Sequence, residues 1–192
     1  FPTLLRMWRV SRLDFYAAAV ALIAVLLLGI LHGILLAAFA SICLLLMRAA
    51  QPHVAFLGRI PGTTTYSDMD RHPDNEPLTG VIAFRPEASL LYVNADAVLE
   101  SVLDRLQHST DIHLVVCDLS ASPYIDLAGS RMLHRLCDEL LARGVTMRVI
   151  GAHGRLRDLL RADDVAEKVG GLDRAMSLHD LLADRSGKKP TI

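Results

Sequence analysis

The sequence predicts an α/β domain, a sheet with helices packed on it, preceded by a transmembrane helical hairpin. Three observations predict it. Residues 15–47 form a run of 33 positions without Asp, Glu, Lys or Arg. From Val81 onward, short apolar segments alternate with amphipathic ones, the pattern of a largely parallel sheet with helices packed against it. Val115 to Ser130 reads as a buried strand, a loop and the start of a helix, and the rest of the C-terminal part can be arranged around that unit.

Composition separates the two parts. Of 192 residues 52% are hydrophobic, and the excess lies before Arg48. Residues 1–50 carry Arg6, Arg9, Arg12 and Arg48 against Asp14 alone, a balance of +3, which leaves −4 for residues 51–192 in a chain of net charge −1. A mildly acidic C-terminal part lacks the clustered basic face that nucleic acid requires, so no nucleic-acid partner is expected. The three cysteines, Cys43, Cys117 and Cys137, fall in an apolar run, a strand and a helix. An odd count at irregular positions is not a disulfide framework and fits buried thiols in a reducing compartment.

Taken in order, residues 1–14 combine Trp8 with arginines spaced by three, as at a membrane–water boundary. One helix over residues 15–47 would be about 50 Å long, against about 30 Å of hydrocarbon. Gly29-Ile-Leu-His-Gly33 is the helix-weakening cluster in its middle. The expectation is two short helices, 15–29 and 33–48, with both basic flanks on the cytoplasmic side. A single long tilted helix is one alternative. A cleaved signal peptide with Ala37-Ala-Phe-Ala40 as its small-residue site is another, against which the run far exceeds the roughly 7–15 residues of a signal core. A turn at the far surface would leave His32 in water.

Residues 51–185 form the expected domain. Strands are predicted at 54–57, 81–84, 89–93, 112–119 and 145–150, with β-prone residues at 63–66 and an exposed loop over 67–77. Helices are predicted from Asn94 or Asp96 to about Gln107, over 128–143 with Asp126 as N-cap and Gly144 as its stop, over 153–161, and over 175–182 with Ser177 as an alternative cap. Residues 186–192 are expected to be a disordered tail.

Ser120, Ser122, His108, His113 and His134 are the residue types of a nucleophile and a base, but no Gly-x-Ser-x-Gly elbow surrounds either serine. HExxH, CxxC and the Walker phosphate loop are also missing. His134, Cys137 and Asp138 at i, i+3 and i+4 could share a helical face for a metal, a spacing that arises easily in an amphipathic helix. The strand–loop–helix over 118–130 is the better candidate, because open parallel sheets bind ligands beyond the carboxyl ends of their strands. Asp126 as N-cap occupies the free N–H groups there and adds a negative charge, which argues against tight phosphate binding. The bland reading gives Asp118 and Asp126 the jobs of fixing the loop and capping the helix. No cofactor, no metal and no enzymatic activity are expected.

The stretch Asp118-Leu-Ser-Ala-Ser-Pro-Tyr-Ile-Asp126-Leu-Ala-Gly129 resembles the signature loop of STAS domains, the fold shared by bacterial anti-sigma-factor antagonists and the cytoplasmic tails of SulP anion permeases. The leading segment, Val54 to Thr63 with Tyr66, Arg71-His-Pro and Leu91-Tyr-Val-Asn94, is similar to the start of SulP STAS domains. The apolar run resembles the last transmembrane helices of that family. In the antagonists the residue after the second Asp is a phosphorylated Ser or Thr. Here it is Leu127, followed by Ala128, and neither has a hydroxyl, so a phospho-switch there is chemically impossible.

The resemblance therefore implies the C-terminal portion of a SulP-type secondary transporter of sulfate-like anions. Such a piece supplies the end of the scaffold or gate domain and a regulatory or dimerising STAS domain. It implies a multi-pass inner-membrane location with the domain in the cytoplasm. The implied partners are the bilayer, the N-terminal transport core of the same protein and a second copy. The implied signature-loop residues are Asp118, Ser120, Ser122, Asp126, Leu127 and Gly129. The alternative is a membrane-anchored partner-switch module that binds a regulatory protein or a nucleotide.

Overall fold

A computed structural model describes residues 12–185. The arginine-bearing lead before Arg12 and the tail after Arg185 lie outside the described residues. The chain divides into two compact units between Ala50 and Gln51.

The first unit is a pair of helices, α1 (Arg12–Leu28) and α2 (Ile30–Ala50), broken at Gly29. Gly29 has φ +81°, a left-handed conformation that glycine adopts without steric cost. The chain then turns back on itself. A Cβ added to Gly33 would lie 2.4 Å from Val25 Cα, a separation that a continuous helix could not give eight residues apart. Gly33 thus brings the two backbones into contact, the use membrane helix pairs make of small residues. Ala24 and Gly33 are buried, while Leu26, Leu27, Ile30 and Leu31 point outward and are exposed. Large apolar side chains face out while Ala24 and Gly33 face in, as in a lipid solvent. Among the described residues α2 is the one helix long and apolar enough to cross a membrane; α1 has 17 residues. The second helix begins at Ile30 rather than at the expected 33. The Gly33 N–H donates to the Gly29 carbonyl at 3.0 Å, so the residues between already form a helical turn.

The second unit holds β1 (Val54–Arg59), β2 (Tyr66–Asp68), β3 (Val81–Pro86), α3 (Ala95–Gln107), β4 (Leu114–Asp118), α4 (Leu127–Ala142), β5 (Thr146–Ile150), α5 (Gly154–Ala162), α6 (Val165–Lys168) and α7 (Leu178–Arg185). The sheet order is β2-β1-β3-β4-β5. β3, β4 and β5 are parallel, while β1 runs antiparallel to both β2 and β3. The sheet is therefore mixed, and β3, not the segment 112–119, is its centre. Helices α3 and α4 are the crossovers that join β3 to β4 and β4 to β5, and strands joined by such crossovers run parallel, whereas the connections before β3 carry no helix.

Successive strand residues face opposite sides, which gives two cores. Phe84, Val115, Cys117, Met147 and Val149 face α3, α4 and α5 and pack on Val98, Val102, Leu133, Leu136 and Leu156. Ala55, Leu57, Ala83, Leu114, Val116 and Ile150 face the other way and are covered by Leu178 and Leu181 of α7.

Two sequence expectations fail here. Residues 89–93 are not a strand: Leu90 alone pairs with Ile125 in a single parallel bridge. Beyond it, Asn94 Oδ1 accepts from the Leu91 N–H at 2.9 Å and Asn94 Nδ2 donates to the Ser89 carbonyl at 3.0 Å, folding the segment into a turn. The span 67–77 is not wholly an exposed loop either. Ser67 and Asp68 belong to β2, and Asp68 and Asn75 are buried. Asn75 Nδ2 donates to the Ser67 carbonyl and hydroxyl, tying the loop to the edge strand.

Candidate functional site

The strand–loop–helix anticipated over 118–130 is formed by β4, residues 119–126 and α4. Asp126 is the N-cap, in extended backbone conformation, and its Oδ1 accepts from the Gly129 N–H at 2.8 Å. Its Oδ2 accepts from the Tyr92 N–H at 2.9 Å. One carboxylate therefore ends the helix and ties a second loop to it. Leu90 lies between, its N–H on the Tyr124 carbonyl and its own carbonyl accepting from the Asp126 N–H. Gly129 is required by this approach: an added Cβ would lie 2.6 Å from the Leu90 carbonyl oxygen and 2.8 Å from Ile125 Cγ1.

Ser122 is fully buried, and its hydroxyl donates toward the carbonyls of Pro86 (3.2 Å) and Ala88 (2.9 Å). It fastens the loop to the end of β3 and is closed to modifying enzymes. Asp118 Oδ1 accepts from the Ser120 N–H at 2.9 Å, a local turn at the end of β4. Ser120 is exposed, and His153 Nε2 lies 3.2 Å from its carbonyl. Leu127 is half exposed, next to exposed Tyr124 and, across the Asp126 bond, Tyr92. Leu127 itself stands where a phosphorylatable hydroxyl would be.

The other sequence candidates do not converge. His134 Nε2 turns to the Asp163 carbonyl. Ser130, fully buried, donates to Asp163 Oδ2 at 2.7 Å. Cys137 Sγ sits 3.4 Å from Met147 Sδ in the core, and Asp138 pairs with Lys168 at 2.6 Å. His108 bonds the Asp104 carbonyl of its own helix. Burial pushes the Cys137 thiol up to about 11 and the Cys117 thiol well above its ordinary value, the latter with help from the neighbouring Asp118 charge. Both thiols are held protonated and unreactive at neutral pH. Sequence reasoning did not find Arg85 or the role of Tyr92. Arg85 pairs with Glu87 two residues on, and the Tyr92 N–H bonds Asp126 from 34 residues away, so no motif spacing marks either one.

Residues 72–180, more than half of the chain, match the model of the STAS domain. The chain belongs to the STAS domain family. The similarity extends beyond that domain. A probable sulfate transporter of Mycobacterium tuberculosis is 31% identical over 166 residues, covering 86% of this chain and 30% of the transporter. Probable sulfate transporter 4.2 of Arabidopsis thaliana is 26% identical over 188 residues, covering 91% of this chain and 27% of that protein. The chain thus spans about a third or less of the curated relatives it matches. The solved structure of the murine Solute Carrier 26 family member A9 anion transporter, in the inward-facing state, superposes with a TM-score of 0.81 at 18% identity, covering 96% of this chain and 30% of that one. The superposition takes in the helical pair as well as the STAS domain, so the shared fold includes both units. The resemblance to SulP permeases read from the sequence holds on these grounds.

Proposed function

We propose that this STAS chain works as the C-terminal portion of a SulP-type secondary transporter of inorganic anions of the sulfate class. Its helical pair closes the scaffold or gate domain of a multi-pass inner-membrane protein. Its domain lies in the cytoplasm, where it stabilises, dimerises or regulates the carrier without catalysing a reaction. The observation that carries this reading is the junction. An apolar helix ends at Ala50 and the first STAS strand begins at Val54, with only three residues between, in a chain similar to sulfate transporters over 86% of its length. The short linker is held at its far end, where the His53 carbonyl accepts from the Glu87 N–H at 3.0 Å and His53 Nε2 lies 2.7 Å from Asp68 Oδ2. Movement of the helix end would be passed to the sheet through few free torsions. Anion binding belongs to the transport core of the whole carrier, between broken helices near the bilayer midplane, and no substrate-binding residue is assigned here.

The test is labelled-sulfate uptake by the whole carrier with and without residues 54–192. The expected outcome is a loss of uptake or of assembled dimer. Unchanged expression, assembly and uptake would sink the proposal.

A second reading, a membrane-anchored partner-switch module, draws on exposed Tyr92, Tyr124 and Leu127 around the signature loop. Aromatic residues of this kind anchor protein interfaces. In this reading Asp118, Ser120, Ser122, Asp126, Leu127 and Gly129 shape a docking surface for a regulatory protein or a nucleotide. A pull-down from lysate with and without ATP separates it from the first, because a kinase-type switch responds to ATP and a dimer contact does not.

A further inference from the structure

On the sheet face opposite α4, at the carboxyl ends of the parallel strands, an open cleft of about 330 Å³ remains. That volume lies at the lower end of the range for small-molecule sites, and the position is where open α/β sheets take ligands. Leu57, Ile150, Met176 and Leu178 supply apolar walls, and Arg85 and Asp118 supply the charges.

The arrangement of those charges is specific. Phe84 of β3 lies opposite Cys117 of β4, so Arg85 and Asp118 form the next pair along and share a face. Adjacent strands are about 4.8 Å apart, which brings a cation and a carboxylate side by side. Arg85 pairs instead with Glu87, Nη2 to Oε1 at 3.2 Å. Among the described residues Asp118 takes part in no ion pair; its Oδ1 holds only the Ser120 N–H. A guanidinium has five N–H donors, so Glu87 leaves several of them available. Asp118 keeps its second oxygen as an acceptor.

We propose that this cleft is a binding site for an α-amino acid with an apolar side chain. The ligand ammonium meets Asp118 and its carboxylate meets Arg85. The two charges of the ligand sit on one carbon, which matches a cation and an anion on neighbouring strands. The side chain lies on Ile150, Met176 and Leu178. An inorganic oxyanion would gain nothing from those walls and would be repelled by Asp118.

The experiment titrates the full 192-residue protein in nanodiscs with L-leucine and L-methionine, read by calorimetry and by ligand-observed NMR. The expected result is saturable binding that Asp118→Asn and Arg85→Gln each weaken at least about ten-fold, the scale of a hydrogen bond to a charged group. N-acetyl-L-leucine, L-leucine methyl ester and 6-aminohexanoate are expected not to bind, because each removes one charge or separates the two. Protected Leu114–Asp118 amides in both variants show that the sheet is intact. No saturable binding of either amino acid overturns the proposal. So does equal binding of the acetylated, esterified or long-spaced compounds, or binding that both variants leave unchanged with the sheet intact. Competition of a nucleoside phosphate for the cleft with no amino-acid binding also overturns it.

Discussion

Asp126 uses its two oxygens on donors 37 residues apart in sequence, Tyr92 and Gly129. Replacing it with Ala removes an N-cap, which costs about 1 kcal/mol, and frees the Tyr92 N–H as well. We expect the Gly129 and Tyr92 amides to exchange with solvent roughly five-fold faster in Asp126→Ala, the factor that a loss of about 1 kcal/mol gives, with a smaller change in Asp126→Asn. Unchanged exchange at both amides would show that the carboxylate does not hold the two loops. The cap itself could be read in advance from an acidic residue in front of an amphipathic stretch. The bond to Tyr92 could not, because nothing local marks a partner 34 residues away. Asp68 shows a second residue effect. Burial raises its carboxyl, but the hydrogen bond from His53, the Asp70 N–H and the charges of His53 and Arg71 outweigh that and leave it below 3.8. A carboxylate with a depressed folded-state value stabilises the fold above its unfolded value and loses that stabilisation as pH falls through the folded one. Melting temperatures are therefore expected to fall on acidification below about pH 4, and the acid limb should be flatter in Asp68→Asn. Parallel acid limbs would refute the assignment.

Among the elements, the hairpin of α1 and α2 depends on one small side chain. At Gly33 a Cβ would overlap Val25 backbone atoms, and backbone cannot move aside as the end of a flexible side chain can. Gly33→Val should push the helices apart, with overpacking costing about 1–3 kcal/mol. Paramagnetic relaxation between labels on the outward faces of α1 and α2 would weaken, whereas an unchanged effect would mean that the helices are not in contact there. The run of apolar residues announced a hairpin, but not which glycine turns it. Gly29 and Gly33 looked alike in sequence, and only one has positive φ. The misread strand at 89–93 has a similar cause. Its apolar and aromatic residues fit a sheet pattern, yet Asn94 bonds back to Ser89 and Leu91 and folds the segment before it can extend.

At the level of the molecule, both cores of the second unit are built from residues 54–182. Leu114 to Cys117 are fully buried between them. Residues 51–192 produced alone are therefore expected to give a cooperative thermal transition and the same protected β4 amides as the full chain. A molten spectrum would mean that the helical pair is needed for folding. The alternation of strands and helices was enough to announce the fold class, because each period reports which face is buried. Strand direction was less accessible. The sequence carries no sign that β1 runs against the others, and the order of strands arises from packing across distant segments. The signature loop was legible as a motif, while the cleft beside it was not, since its lining comes from segments scattered between Leu57 and His179.

The cover over the second face of the sheet sets a practical limit on how the molecule can be shortened. The STAS similarity ends at residue 180, but Leu181 is buried against the sheet and Leu182 packs beside it. A chain ended at that boundary would lose half of the plug over Ala55, Ala83 and Val116 and show an oily sheet surface to water. It would be expected to self-associate through that surface alone. Expression boundaries chosen from family similarity alone would therefore mislead about oligomerisation, and a reliable C-terminal cut belongs beyond the end of α7.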